Sequence, residues 1–158
     1  MIFVTVGTQL AFDRMIAAVD DWAGANPDVE VQAQIGPSKL RPRHVQCSEF
    51  LRPQEVDALN RRASLIVGHA GMGSILTALR YKKPIVIMPR KASLGEHRND
   101  HQMATAKWLG NKPGVFVAWD ERHLKEVLGN RKALAGGDGI SEYAPRALLD
   151  KLSHFIGD

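Results

Sequence analysis

The run of residues best suited to chemistry is rich in glycine and lies between a predicted strand and a predicted helix. It reads Gly68-His69-Ala70-Gly71-Met72-Gly73-Ser74. Glycines let backbone N–H groups approach a ligand closely, and the start of a helix favours an anion such as a diphosphate. The Ser74 hydroxyl adds a further donor. The alternative interpretation is a tight turn that needs glycine for its own dihedral angles.

A second run is almost entirely polar and opens another predicted helix. It reads Gly95-Glu96-His97-Arg98-Asn99-Asp100-His101-Gln102. If that helix begins early, His97 and His101 share a face and suit a metal ion. No third ligand is evident, however, so we predict no metal, and a set of hydrogen-bonding groups for sugar hydroxyls fits the composition better. A capped helix start on a solvated loop remains the structural alternative.

Other candidate positions are weaker. Gly7 and Thr8 follow the first predicted strand, where a glycine permits close approach of a ligand or a partner, or simply makes a turn. Phe50, just before Pro53, is by type more often a core residue. The chain carries neither the Walker phosphate-binding pattern nor the Gly-x-Ser-x-Gly motif of hydrolases.

These runs fall on loops of a repeating strand–helix pattern. Apolar runs predict strands at 2–6, 64–68, 84–89 and 115–118. Alternating apolar and polar residues predict a strand at 29–34, and a short strand is predicted at 44–47. Apolar residues spaced by three and four predict the intervening helices and a last one at 141–156. The alternation predicts an α/β fold, a Rossmann-like, doubly wound and mostly parallel sheet. Ligands bind beyond the carboxyl ends of such strands, where these loops lie.

Composition sets the broad class. The 158 residues suit one domain over 1–158, and a single cysteine excludes an internal disulfide, which makes a reducing cytoplasm the default. No apolar run is long enough to span a bilayer, and the short apolar start has no basic leader. The net charge of +4 includes seven basic residues between Arg80 and Lys107. Such a patch suits phosphates or an anionic membrane; without interleaved aromatic residues we predict no nucleic acid partner.

Several motifs together resemble a known family. Val6-Gly7-Thr8 with Phe12-Asp13, the glycine-rich run, and Asn99-Asp100-His101-Gln102 are similar to the C-terminal, donor-binding domain of GT-B glycosyltransferases, the family 28 type. The resemblance covers roughly residues 1–155. The closer resemblance is to the short donor-binding subunits of split UDP-sugar transferases, which serve dolichol-linked or bacterial exopolysaccharide synthesis. Gly95-Glu96-His97 resembles the bacterial branch. The fold implied is a single GT-B half-domain.

The resemblance implies roles for matching positions. Phe50 and Leu51 would frame the uracil. The backbone of Gly71, Met72, Gly73 and Ser74, with the Ser74 hydroxyl, would hold the diphosphate. Asn99, His101 and Gln102 would lie near the donor sugar or the diphosphate. His69, Ala70 and Glu96 are further donor-binding candidates. Gly7 and Thr8 would line the cleft. Thr77 stands where many relatives carry the acid that binds the ribose. The catalytic residue is unknown, with Glu96 and His69 as candidates.

The resemblance also implies a half-enzyme. We expect the donor-binding catalytic subunit of a two-component hexosyltransferase that moves a sugar from a UDP-sugar to a lipid-linked acceptor in polysaccharide synthesis, without a cofactor. A membrane-anchored partner would bind the acceptor and hold this chain at the inner face of the membrane, and the helix at 141–156 would dock on it. Without the partner a homodimer could form. The alternatives are a non-catalytic nucleotide-binding regulatory module and a fragment of a UDP-sugar epimerase or hydrolase.

Overall fold

The computed structural model describes residues 1–137. Its strands are β1 Ile2–Thr5, β2 Val31–Gln34, β3 Gln46–Ser48, β4 Leu65–His69, β5 Ile85–Met88 and β6 Val115–Val117. Its helices are α1 Asp13–Ala25, α2 Pro53–Arg62, α3 Met72–Arg80, α4 His101–Leu109 and α5 Glu121–Gly129. The predicted elements up to residue 137 are therefore confirmed, with shifted ends. The helix expected at 141–156 lies outside the described residues.

The six strands form one sheet in the order β3-β2-β1-β4-β5-β6, and every neighbouring pair is parallel. The chain runs outward from β1 to β3, returns through α2 to β4 beside β1, and then runs outward in the other direction. The order therefore reverses between β1 and β4. The predicted Rossmann-like, doubly wound sheet is confirmed, and this reversal opens a crevice at the carboxyl ends of those two strands.

Alternating side chains of the strands pack into two apolar layers. Val4 and Val67 face the layer that includes α1 and α5, whereas Phe3 and Ile66 face α2, α3 and α4. Both layers are almost fully buried, because helices cover the parallel sheet on each side. The central strands are consequently apolar along their whole length, as the sequence pattern suggested.

The connection from β2 to β3 contains no helix among residues 35–45. The carboxylate of Asp20, on α1, accepts hydrogen bonds from the backbone N–H groups of Arg43, His44 and Val45 at 2.7–3.2 Å. These N–H groups are therefore unavailable to the sheet. This explains why the strand predicted at 44–47 begins only at Gln46.

The seven basic residues between Arg80 and Lys107 do not form one surface, so that expectation is wrong. Lys82 and Lys83 precede β5 while Lys91 follows it, at opposite ends of the sheet. Arg90 is only 2% exposed and belongs to the interior. Within residues 1–137, no helix is both long and apolar enough to cross a membrane.

Candidate functional site

Three adjoining clefts open where the strand order reverses. A central cleft of about 420 Å³ lies between the loop after β1, the end of β4 and the first turn of α3. A second, of about 740 Å³, extends toward the loop before α4. A third, of about 340 Å³, lies between the segment after β3 and the α2–α3 side. The fold thus brings the separate candidate loops to one edge of the sheet.

Almost all of the predicted donor-binding residues line one of these clefts. The central cleft is lined by Gly7, Thr8, His69, Gly71, Met72, Gly73, Ser74, Thr77 and Gln102. Ala70, Glu96, Asn99 and His101 line the second, and Leu51 lines the third. Phe50 lines none of the three; its side chain is 54% exposed beside them. The roles assigned to these residues remain predictions.

The start of α3 presents unpaired backbone donors to the central cleft. The first helical hydrogen bond runs from the Ile75 N–H to the Gly71 carbonyl, and no side chain caps the helix. The N–H groups of the preceding positions 72–74 therefore lack acceptors among the described residues. A Cβ atom placed on Gly73 would meet nothing within 4 Å. The backbone here is open to a ligand, as the glycine pattern predicted.

His69 lies at the centre of the cleft, between two glycines. A Cβ atom on Gly71 would come within 2.1 Å of the His69 ring, and one on Gly7 within 2.9 Å of its Nε2 atom. Gly7 also has a φ of +80°, a conformation that favours glycine. Both glycines are therefore required by the imidazole itself. The close approach of the His69 ring therefore explains why both positions are glycine, whether or not a ligand also approaches them.

The surroundings of His69 keep its imidazole neutral. Burial, together with the positive charges of Arg90 and His97, lowers its pKa to about 4. At neutral pH the ring is therefore a neutral hydrogen-bonding group. Its Nδ1 atom lies 3.1 Å from Nε2 of Gln102, whereas its Nε2 atom has no hydrogen-bond partner within residues 1–137.

Gln102 connects His69 to the strand beside it. The side chain lies in the first turn of α4 and is 8% exposed. Its Oε1 atom accepts a hydrogen bond of 3.1 Å from the backbone N–H of Arg90, directly after β5. Both ends of the amide are thus engaged inside the protein. The sequence predicted that Gln102 belongs to the site but contained no sign of these partners.

Arg90 is a structural residue of the site that sequence reasoning did not identify. Its guanidinium group donates to the carbonyls of Val6, Leu10 and Ala11 at 2.6–2.9 Å, and it lies 4.9 Å from the centroid of the Phe12 ring. Burial lowers the pKa of Arg90 to about 10, which leaves it charged at neutral pH. Arg90 therefore fixes the shape of the loop after β1. A buried arginine has no sequence signal that distinguishes it from its exposed neighbours.

The carboxylate of Glu96, a catalytic candidate, is already paired. It accepts two hydrogen bonds of 2.9 Å from Arg14 on α1, and its Oε1 atom also accepts one of 3.0 Å from the Lys91 N–H. These partners stabilise the charged carboxylate and use its lone pairs. The geometry suits a residue that joins the loop before α4 to α1 better than it suits a base.

Polar groups before α4 line the second cleft. The helix begins at His101, so His97 lies in the loop and the two histidines do not share a helix face. Asn99 accepts from the His101 N–H through its Oδ1 atom, which leaves its NH₂ group available. Within residues 1–137 no three His, Cys, Asp or Glu side chains cluster closely enough to hold a metal ion.

The third cleft lies beside Leu51, which follows β3. Neither backbone group of Leu51 has a hydrogen-bond partner among the described residues. Thr77 donates its hydroxyl proton to the Gly73 carbonyl at 2.8 Å, so it offers a ligand only an acceptor. Asp57 and Tyr81, which hydrogen-bond to each other, line the same cleft.

Taken together, the fold and the site define a Rossmann-like domain with a crevice at the reversal of its strand order, where the start of α3 has no side-chain cap. The sequence matches the glycosyltransferase family 28 C-terminal domain over residues 1–133. The chain belongs to this family, and the fold is that of one half of a GT-B glycosyltransferase, as the motifs predicted.

Similar proteins include subunits of transferases. The chain is 28% identical over 151 residues to the UDP-N-acetylglucosamine transferase subunit ALG13 of Homo sapiens, and 27% identical over 137 residues to the one of Yarrowia lipolytica. The matches cover 87% and 76% of this chain. The chain spans 12% of the length of the human relative and 65% of the Yarrowia lipolytica relative.

Solved structures agree on the fold. The solution structure of ALG13 superposes with a TM-score of 0.63 at 16% identity, covering 96% of this chain and 93% of that one. The structure of UDP-glucose: anthocyanidin 3-O-glucosyltransferase in complex with UDP superposes with a TM-score of 0.60 at 12% identity. The match covers 98% of this chain and 34% of that enzyme. This chain therefore corresponds to about a third of the larger enzyme.

Proposed function

We propose that this protein is the donor-binding subunit of a two-component glycosyltransferase that uses a UDP-sugar. The observation that carries the proposal is the open start of α3, where unpaired N–H groups and the side-chain-free face of Gly73 meet the central cleft. These groups suit a diphosphate, because a helix N-terminus favours negative charge. Family membership and the names of the similar subunits support a UDP-sugar as the ligand.

In this proposal the three clefts hold three parts of the donor. The diphosphate lies at the start of α3 and accepts a hydrogen bond from Nε2 of His69. The uracil lies in the third cleft against Leu51 and Phe50, and the sugar lies in the second cleft near Asn99 and His101. The names of the relatives make UDP-N-acetylglucosamine the first donor to test, beside UDP-galactose and UDP-glucuronic acid.

The reaction would be an ordinary glycosyl transfer. The oxygen of the acceptor hydroxyl bonds to C1 of the sugar, the bond from C1 to the diphosphate oxygen breaks, and UDP leaves. The N–H donors at α3 and at His69 stabilise the charge that develops on the leaving diphosphate. The acceptor proton goes to a base, which we assign to a partner subunit because the carboxylate of Glu96 is held by Arg14.

The partner completes the proposal. We assign to it the lipid-linked acceptor and the membrane anchor, so that this chain works in the cytoplasm at the inner face of the membrane. Polysaccharide synthesis is the process that we favour, on the strength of the Gly95-Glu96-His97 motif. The dolichol-linked pathway of the named relatives is the competing assignment.

The direct test is UDP binding to the wild type and to the Gly73→Ala variant by calorimetry. The added methyl group meets no protein atom, so the fold tolerates it, but it occupies the space that the diphosphate needs. We expect binding to weaken at least about tenfold, or by about 1.4 kcal/mol.

Gly129→Ala is the matched control. A Cβ atom at Gly129, at the end of α5, also meets nothing within 4 Å. This variant should bind UDP like the wild type. Equal affinity for Gly73→Ala, or no UDP binding by the wild type, would contradict the proposed function.

A further inference from the structure

The hydrogen bonds around Gln102 determine which nitrogen of His69 carries the proton. The backbone N–H of Arg90 can only donate, so the Gln102 atom that faces it must be the oxygen. The amide NH₂ group then faces Nδ1 of His69 at 3.1 Å and donates to it. Nδ1 must therefore hold a lone pair, and the proton of the neutral ring is on Nε2.

The protonated Nε2 atom faces the central cleft. It lies beside Gly7, whose hypothetical Cβ atom would be 2.9 Å away, and none of the residues 1–137 accepts its hydrogen. The neutral ring can present either a donor or a lone pair at this position. Only the donor attracts an anionic oxygen, whereas a lone pair repels it.

We propose that Gln102 is a positioning residue that fixes His69 in the Nε2–H form and so presents a hydrogen-bond donor to the cleft. The relay runs from the Arg90 N–H through the Gln102 amide and the His69 ring to the ligand. Its consequence for binding rests on the proposed function, whereas the assignment of the proton does not.

The burial of Gln102 supports this role. The side chain is 8% exposed, and each of its polar ends has a protein partner, so the amide is held in one orientation. A glutamine is also well suited to the position, because its amide is an acceptor at one end and a donor at the other. A glutamate of the same shape would instead have acceptors at both ends.

The experiment compares the wild type with the Gln102→Glu and Gln102→Met variants. Nitrogen-15 NMR of the histidine rings reads the proton position in the free protein, and calorimetry reads UDP affinity. We expect Nε2–H in the wild type. In Gln102→Glu the carboxylate should draw a proton onto Nδ1 of His69, and UDP affinity should fall at least about tenfold. Gln102→Met removes both hydrogen bonds and should give a mixture of the two forms.

Ala104→Glu is the control for the added charge, because Ala104 is exposed on the same helix. It should leave the His69 proton and the UDP affinity unchanged. A wild-type ring protonated on Nδ1 would overturn the proposal even if the variants failed to fold. A loss of affinity in Gln102→Glu with His69 still in the wild-type form would also overturn it, since residue 102 would then not determine the position of the proton.

The two hypotheses fail separately. If the wild type binds no UDP, the proposed function fails, but the NMR measurement still decides whether Gln102 sets the proton position. If UDP binds and the proton position is independent of residue 102, only the relay fails.

Discussion

His69 combines burial with a role at the ligand cleft. Its imidazole has no countercharge among the described residues, and its lowered pKa follows from burial first and from the nearby positive charges of Arg90 and His97 second. A neutral donor costs less to keep in a partly enclosed cleft than a charged one. In the proposed function, His69 would donate to an anionic ligand without titrating near neutral pH.

The pKa of His69 predicts how stability depends on pH. The unfolded chain takes up this proton near pH 6.5, but the folded chain does so only near pH 4. The unfolded state therefore binds more protons between these values. The contribution of His69 to the free energy of unfolding is complete above about pH 6.5 and is lost as the pH falls toward 4.

We expect the wild type to lose about 2 kcal/mol more than His69→Asn between about pH 7 and about pH 4.5. Urea unfolding of both proteins at the two pH values measures this difference. Carboxylates also titrate in this range, and the comparison with the variant removes their effect. Equal losses in the two proteins would show that His69 titrates alike in the folded and unfolded states.

The segment between β5 and α4 joins the two walls of the site. Arg90 bonds to the carbonyls of the loop after β1, and Glu96 pairs with Arg14 on α1. Gln102 links the same segment to the end of β4. These contacts hold together the loop after β1, the segment between β5 and α4, and the end of β4. They keep the central cleft in shape without a ligand.

Arg90→Met should destabilise the protein by at least about 3 kcal/mol, because buried carbonyls lose a charged donor worth roughly 1.5–3 kcal/mol each. Denaturant unfolding measures the loss, and hydrogen exchange should show the loop 7–12 opening more often than in the wild type. Arg98→Met is the control, because Arg98 is exposed in the same segment. A surface change of this kind should stay within about 0.5 kcal/mol. Similar losses in the two variants would contradict the role of Arg90.

Within residues 1–137, the site lies on an open edge of the molecule. Leu10, Phe50 and Leu94 are 46–56% exposed in three loops at the carboxyl ends of the strands, around the clefts. Large apolar side chains grouped at such an edge favour contact with another surface. This exposure agrees with the proposed need for a partner.

The proposal predicts a sharp difference between binding and catalysis. The chain alone should bind UDP but should transfer no sugar to a lipid-linked acceptor. Addition of membranes that contain the partner subunit should start transfer, measured as labelled sugar in the lipid fraction. Membranes without the partner are the control.

Two outcomes would count against this prediction. Transfer by the chain alone at the rate of the mixture would remove the need for a second subunit. UDP binding without transfer in any mixture would favour the non-catalytic, nucleotide-binding module.

The sequence by itself determined the fold class and most of the residues at the site. Apolar residues that are buried recur at a regular spacing along the chain, as in the strand at 84–89 and the helix from Phe12 to Trp22. This spacing involves only neighbouring residues, so it is visible in the sequence. Glycines before a helix likewise indicate an open backbone. The family motifs added the expected order of the parts of the donor along the loops.

Only the tertiary structure decided what each polar side chain does. Nothing in the sequence distinguishes Arg90 from Arg98. Arg90 is buried and hydrogen-bonds to the loop after β1, whereas Arg98 lies on the surface. Glu96 and Gln102 were both placed at the site, but their partners, Arg14 and His69, are 82 and 33 residues away. Such pairings depend on where distant elements meet, and a hydrogen bond or an ion pair leaves no periodic trace in the sequence.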